Sequence, residues 1–327
     1  MSGRVTTVAI PVLNGAAELE ALLPAIGGQE FDGDIEILVA DSESTDGSAH
    51  VARRLGADVV TVRRSEFSHG GTRNLLMERS RGELVAFLTQ DALPAGPRWL
   101  AALTEAFTLR PDVGIAYGPR LPRPDASLTV RRELTDYFRS VGGTDDGAPV
   151  VVTAETATLH GASSTTYFHS VNACLTRAAW RQVPFRVIPY AEDRMLALDM
   201  LRAGWAKAFV PAAAAVHSHN YRPIELFRRS FDEWRGLREV AGHVEPYGVG
   251  TGARWITAQV RADLEYLTRI EHGSKLDAVQ ALPGSLRHAC LRYAGAILGS
   301  RANRLRPGVR RRLSLERRGS FLPQVPA

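Results

Sequence analysis

Several polar residues of this chain stand singly where an apolar run stops. Asn14 follows the run 8–12, Asp41 follows 35–40, and Asp91 follows 84–88 after Thr89 and Gln90. A continuous run of Val, Leu and Phe that ends in polar residues reads as a buried parallel strand. Ligands of open α/β sheets bind at such carboxyl ends. An acid there can hold a metal ion or lie beside a phosphate, and it can equally cap the turn that follows. Asp41 opens D-S-E-S-T-D-G-S, in which Asp46, ahead of Gly47 and Ser48, reads as a helix cap. Arg73 and Asn74 follow Gly70-Gly71 at a helix start, an arrangement suited to a phosphate or ribose. Glu192 and Asp193 begin another helical run, where acids suit the dipole. Two common nucleotide signatures are absent: no G-x-G-x-x-G follows the first strand, and no P-loop occurs anywhere.

The elements that must position these residues alternate. Strand-like runs at 8–12, 35–40, 59–62, 84–88 and 113–117 are separated by helical stretches; Leu19, Leu22, Leu23 and Ile26 show the helical spacing. This is an α/β pattern of βαβ units with a mostly parallel sheet and all βα loops on one edge. Between 118 and 166 the pattern loosens around one helical piece at 128–138, as in a lid or binding loop. It resumes at 167–175, with a helix at 193–203 and a strand-like run at 208–217. Beyond Pro223 the chain reads as helical, at 225–240, 254–270 and 286–300, with G-V-G-T-G at 248–252 as a linker. Two regions are therefore expected, 1–222 and 223–327.

The totals fit a globular chain: 327 residues, 45% hydrophobic and 23% charged. Cys174 and Cys290 lie too far apart for a metal motif, and a reducing, cytoplasmic setting suits them. No signal peptide and no membrane-spanning run is legible. Charge is uneven. Residues 254–327 hold 14 Lys and Arg against 5 Asp and Glu, a net of +9, which leaves −4 for the first 253. A basic end can pack as a helical subdomain with a solvated face, or touch anionic lipid on the inner face of the plasma membrane. Nucleic acid is not expected as a partner, because no known motif is present and aromatics do not interleave the basic run.

Four motifs in order carry a resemblance: P-V-L-N at 11–14, D-S-E-S-T-D-G-S at 41–48, G-G-T-R-N at 70–74 and F-L-T-Q-D-A-L-P at 87–94. Over roughly residues 5 to 220 the chain resembles the family-2 glycosyltransferases, inverting enzymes of the GT-A fold. F-S-H-G-G-T-R-N together with H-S-H-N-Y is similar to the bacterial rhamnosyltransferase branch. The resemblance implies a nucleotide-sugar donor, dTDP-rhamnose foremost, and a cell-surface glycan or lipid-linked acceptor. A UDP- or GDP-sugar donor and a non-catalytic nucleotide-sugar-binding subunit stay open. It implies that Asp41 accepts a hydrogen bond from the pyrimidine, with Pro11, Asn14, Ser44, His69, Arg73, Asn74 and Gln90 around the nucleotide. Asp91 would hold Mg2+ or Mn2+. Thr89 stands where the family often has a second acid, so His217 or His219 would add a ligand; their i, i+2 spacing sends them to opposite faces, and His217 is preferred. Asn172 falls where the family contacts the donor sugar or acceptor. Asp193, or Glu192 in its place, would be the base.

Overall fold

The computed structural model describes residues 5–142, 147–159 and 163–316. Its first half runs β1 (Val5–Val12), α1 (Ala16–Gly27), β2 (Asp34–Asp41), α2 (Ser48–Arg54), β3 (Asp58–Thr61), α3 (His69–Arg79), β4 (Leu84–Leu88), β5 (Leu93–Pro94), α4 (Trp99–Glu105), β6 (Val113–Tyr117) and β7 (Arg120–Leu121). Then come α5 (Leu128–Gly142), β8 (Val150–Val152), β9 (Asn172–Thr176), α6 (Arg177–Gln182), α7 (Glu192–Arg202), β10 (Ala206–Phe209) and β11 (Ala215–Val216). The chain continues through α8 (Pro223–Ala241), α9 (Val249–Arg269), α10 (Lys275–Gly299) and α11 (Pro307–Leu313).

Eight strands form one sheet in the order β3-β2-β1-β4-β9-β6-β10-β8. Both faces are covered, which is why the strands read as continuous apolar runs. Val8, Ile10 and Val12 pack on one side with Leu19, Leu22 and Leu103; Ala9, Phe87 and Tyr117 pack on the other with Leu76 and Met200. The sheet is mostly parallel, as expected, with two antiparallel members. β9 runs antiparallel between β4 and β6, and β8 antiparallel beside β10. The expected strand at 167–175 is confined to β9, and the run at 208–217 breaks in two. β10 ends at Phe209 before Pro211, and β11 joins β5 and β7 in a separate three-stranded sheet. That break carries Ala215 and Val216 across to the sheet edge where the site lies.

The G-V-G-T-G run is the start of α9, not a linker. Gly252 is helical there because the Tyr293 ring of α10 lies where its Cβ would be, 2.7 Å away. α10 packs closely on α8 in the same way: a Cβ at Gly299 would meet the Phe231 carbonyl oxygen at 2.3 Å. α5 ties the two halves together, because Arg132 donates to the buried Asp263 of α9 at 2.6 Å and Thr129 does so at 2.6 Å. Part of the basic C-terminal charge is consumed in packing: Arg292 pairs with Glu133 at 3.1 Å and Glu233 at 3.7 Å. Arg317 and Arg318 lie outside the described residues. No helix among the described residues is long and apolar enough to cross a membrane.

Candidate active site

A cleft of about 1510 Å³ opens at the carboxyl ends of β1, β2 and β4 and is closed by α5, α7, α8 and α10. Asp91, directly after β4, lies on it with His217 and His219, and both imidazole Nε2 atoms stand 3.3 Å from the same Asp91 Oδ2. The preference for one histidine fails here. Residues 217–220 have left β11, so strict side-chain alternation no longer holds. His217 is anchored by its own N–H to the Leu121 carbonyl at 2.9 Å, and the two rings meet edge-on with centroids 4.7 Å apart. Burial opposes ionisation of Asp91, but the hydrogen bond and charge of His217 outweigh it and hold the carboxyl well below the usual range. Burial pushes His219 down to about 4, so its ring is neutral and keeps a lone pair. One carboxylate and two imidazoles whose donor atoms lie within 4.8 Å of one another fit a divalent cation.

Glu192 and Asp193 reach the cleft through a strained turn. Ala191 has φ 64°, a left-handed value that is uncommon outside glycine, and it starts α7 with both acids in the first turn. The pair divides its work. Glu192 is buried and accepts from Arg73 at 2.7 Å, whereas half-buried Asp193 uses Oδ1 only on the Arg194 backbone N–H, at 2.7 Å. Burial raises the Asp193 pKa, and the Glu192 charge adds to that against Arg73. A carboxylate raised in this way is the better proton acceptor. Arg73, expected at the phosphate, lines the cleft, lies over the Phe185 ring, 5.8 Å from its centroid, and positions Glu192 beside it.

The nucleotide-side residues divide into those that face the cleft and those that build its loops. Asp41 is buried; its Oδ2 accepts the Ser44 N–H at 3.2 Å, while Oδ1 has no partner. A buried carboxylate oxygen left open is suited to a ligand N–H. Pro11, His69 and Gln90 line the cleft. Gln90 bonds the Leu13 backbone in both directions, at 2.8 and 3.3 Å, and His69 stands 3.7 Å from Glu316. Asn14 and Ser44 clamp two loops to each other: Asn14 N–H donates to Ser44 Oγ, and Asn14 Oδ1 accepts from Thr45 N–H, both at 2.9 Å. Asp46 stands one residue ahead of the N-cap of α2, which is Gly47, and instead ties two loops together, accepting Ala16 N–H at 2.9 Å and Ser48 N–H at 3.0 Å.

Two asparagines are turned away from the cleft. Asn74 donates to Phe185 O at 2.8 Å and accepts from Trp180 Nε1 and Phe185 N–H at 2.9 and 3.0 Å, so its amide is fully engaged in holding the 180–185 segment. The glycine before it serves the same packing, since a Cβ on Gly70 would meet the Arg186 carbonyl oxygen at 2.2 Å. Asn172 is wholly buried. It accepts from Trp99 Nε1 at 2.8 Å and donates to Ala213 O and Pro119 O at 2.7 and 3.3 Å, so its role is to knit β9 to the bends on either side. Gly118 beside it tolerates no side chain, because a Cβ would stand 1.7 Å from Ala213 O. Sequence reasoning also passed over Arg120, Arg194 and Arg229 on the cleft wall; the Arg immediately after E-D was the one legible sign.

Residues 7–152 match the family model described as "Glycosyl transferase family 2". The O-antigen chain rhamnosyltransferase WbaN of Salmonella anatum is 30% identical over 202 residues, 60% of this chain and 61% of WbaN. RfbN of Salmonella typhimurium, also an O-antigen chain rhamnosyltransferase, is 29% identical over 232 residues, 69% and 70% of the two chains. The match to WbaN thus spans about three fifths of that relative. Among solved structures, the mannosyltransferase PcManGT of Pyrobaculum calidifontis, in complex with GDP-Man and Mn2+, has a TM-score of 0.60 at 20% identity, covering 93% of this chain and 87% of that one. Glucosyl-3-phosphoglycerate synthase of Mycobacterium tuberculosis has a TM-score of 0.52 at 22% identity, covering 74% and 82%. At such identities the likeness speaks for the GT-A architecture alone. The motifs, the family match over residues 7–152 and the rhamnosyltransferase relatives agree in likening this chain to the family-2 glycosyltransferases of rhamnosyltransferase-like type, with a GT-A fold.

Proposed function

We propose that this protein transfers L-rhamnose from dTDP-rhamnose, with inversion, to a cell-surface glycan or lipid-linked acceptor. The observation that carries this reading is one cleft holding together the Asp91–His217–His219 donor set and the half-buried Asp193, with the open Asp41 carboxylate oxygen buried next to the cleft residue Ser42. In the reaction Asp193 takes the proton of the acceptor hydroxyl as that oxygen bonds to the anomeric carbon. The bond from that carbon to the diphosphate breaks, and its electron pair leaves with dTDP. Arg73 fixes Glu192, and the Glu192 charge keeps Asp193 basic. Asp91, His217 and His219 would hold a divalent cation, which would supply Lewis-acid neutralisation of the diphosphate charge; two nitrogen donors would favour Mn2+ over the oxygen-seeking Mg2+. The donor is drawn from the relatives named rhamnosyltransferases, and the acceptor class from their O-antigen products.

Incubation with dTDP-rhamnose, UDP-glucose or GDP-mannose, with and without Mn2+, tests the reading through nucleotide release and thermal shift. Mn2+-dependent release of dTDP alone is expected. Stabilisation by UDP or GDP but not dTDP would reassign the donor, and nucleotide binding without turnover would make the chain a binding subunit. Peripheral contact with an anionic bilayer is part of the proposal, since Leu276, Val279 and Leu286 are exposed along α10 next to Lys275 and Arg287. Flotation with anionic but not neutral liposomes is the expected result.

A further inference from the structure

The three donors of the Asp91 cluster sit just outside a very small sheet. Asp91 lies two residues ahead of β5, and His217 and His219 follow the end of β11, which runs between β5 and β7. Each of these strands is two residues long, so the ladder stops before it reaches the donors. Its backbone bonding ends on His217 N–H and Leu121 O, at 2.9 Å.

Past that point side chains take over. Arg123 N–H donates to the buried Ser218 Oγ at 3.0 Å, and the half-buried Arg123 guanidinium donates to the Asp91 carbonyl oxygen at 2.7 Å. Asn220 Oδ1 accepts Ser127 N–H at 2.9 Å, while its Nδ2 donates to Asp125 O at 2.7 Å. One segment, 123–127, therefore grips both stretches that carry donors. Because β7 and β5 lie on opposite sides of β11, the Arg123 side chain passes the end of β11 to reach Asp91. Tyr221 adds a contact on the far side, its ring centroid 5.3 Å from that of His219. The motif H-S-H-N-Y is then accounted for residue by residue: two donors, two braces and a ring against the second donor. A cation shared by one carboxylate and two imidazoles needs the three donors fixed relative to one another, and partners behind the ligands commonly carry roughly 10–100-fold of metal affinity.

We infer that Arg123 and Asn220 are positioning residues for a divalent cation, holding Asp91 in place against His217 and His219 through the 123–127 segment. This rests on the metal reading of that trio. Electron paramagnetic resonance of Mn2+, whose free-ion signal is lost on binding, tests it on the full chain, with and without saturating dTDP. Wild type should bind Mn2+. Asn220→Ala and Arg123→Gln should each weaken binding about tenfold, and Arg123→Lys, which keeps a donor for the Asp91 carbonyl, should retain most of the affinity. The sign of the Arg123→Gln effect is informative, because Arg123 lies within electrostatic reach of His219. Acting through charge alone, its removal would tighten Mn2+ binding. Melting curves without metal check folding; Asn220 is exposed, so Asn220→Ala is expected to fold and decides the question even if Arg123→Gln does not. Unchanged Mn2+ affinity in the folded variants, whatever their melting points, would make these ties purely structural and overturn the inference. Tighter binding by Arg123→Gln would overturn it equally. Should wild type bind no Mn2+ in either condition, the metal reading itself falls, and the inference with it.

Discussion

At the sheet edge of the cleft, Gln90 on the wall and Asn14, Ser44 and Asp46 in the loops behind it bond the backbone of neighbouring segments, and the buried Asp41 keeps a carboxylate oxygen open. Along the helical wall, Arg120, Arg194 and Arg229 lie on aromatic rings, with Glu233 in electrostatic reach of all three. A wall whose polar groups are satisfied internally is rigid and offers few fixed contacts. A wall of stacked cations is preorganised for an anionic ligand. Asp193 stands between them, close to Glu192 of one ion pair and next to Arg194.

Substitutions at that junction should break the transfer most severely. Asp193→Asn is expected to fold, to keep nucleotide affinity and to lose about 10²–10⁴-fold in rate; near-normal turnover would remove Asp193 as the base. His219→Ala, which deletes one metal donor, should weaken Mn2+ binding and reduce turnover on the order of 100-fold, with excess Mn2+ restoring part of it. Retained Mn2+ affinity, read by titration calorimetry, would confine the cation to Asp91 and His217.

Asn172→Ala probes the contrast differently, because it removes structure and no cleft contact. Trp99 N–H and two buried carbonyls lose their partner, so stability should fall by about 3 kcal/mol in denaturant titration while the folded fraction keeps its nucleotide affinity. A loss of affinity without loss of stability would return Asn172 to the binding residues. The mildest expected effect is in the pH profile. With Asp193 as the proposed base, transfer requires it ionised, and the rate is expected to fall as pH drops through the raised Asp193 pKa. Glu192→Gln removes a charge that raises it, and the acid limb should move to lower pH. An unmoved limb would mean that another group titrates there.

Glycosyltransferase character was legible because its residues sit in short local motifs. D-S-E-S-T-D-G-S and F-L-T-Q-D-A-L-P each place an acid at a strand end through chain-local geometry. The alternation of apolar runs likewise placed β1, β2, β4 and β6, since a strand covered on both faces must be apolar throughout. Chain-distant bonding was not legible. That Asn74 and Asn172 point into the core depends on Trp180 and Trp99 arriving from other elements. His219 joins His217 on Asp91 only because β11 stops at Val216.

The sequence by itself determined that the chain is an α/β protein with acids at the carboxyl ends of its strands, and that a helical, basic region follows. Those features follow from hydrophobic periodicity and local turn chemistry, which neighbouring residues decide. Only the tertiary structure decided which of the polar residues face the cleft. A side chain's role is settled by the partner that packing brings to it: Glu192 found Arg73, Asn172 found Trp99, and the stacked arginines found rings.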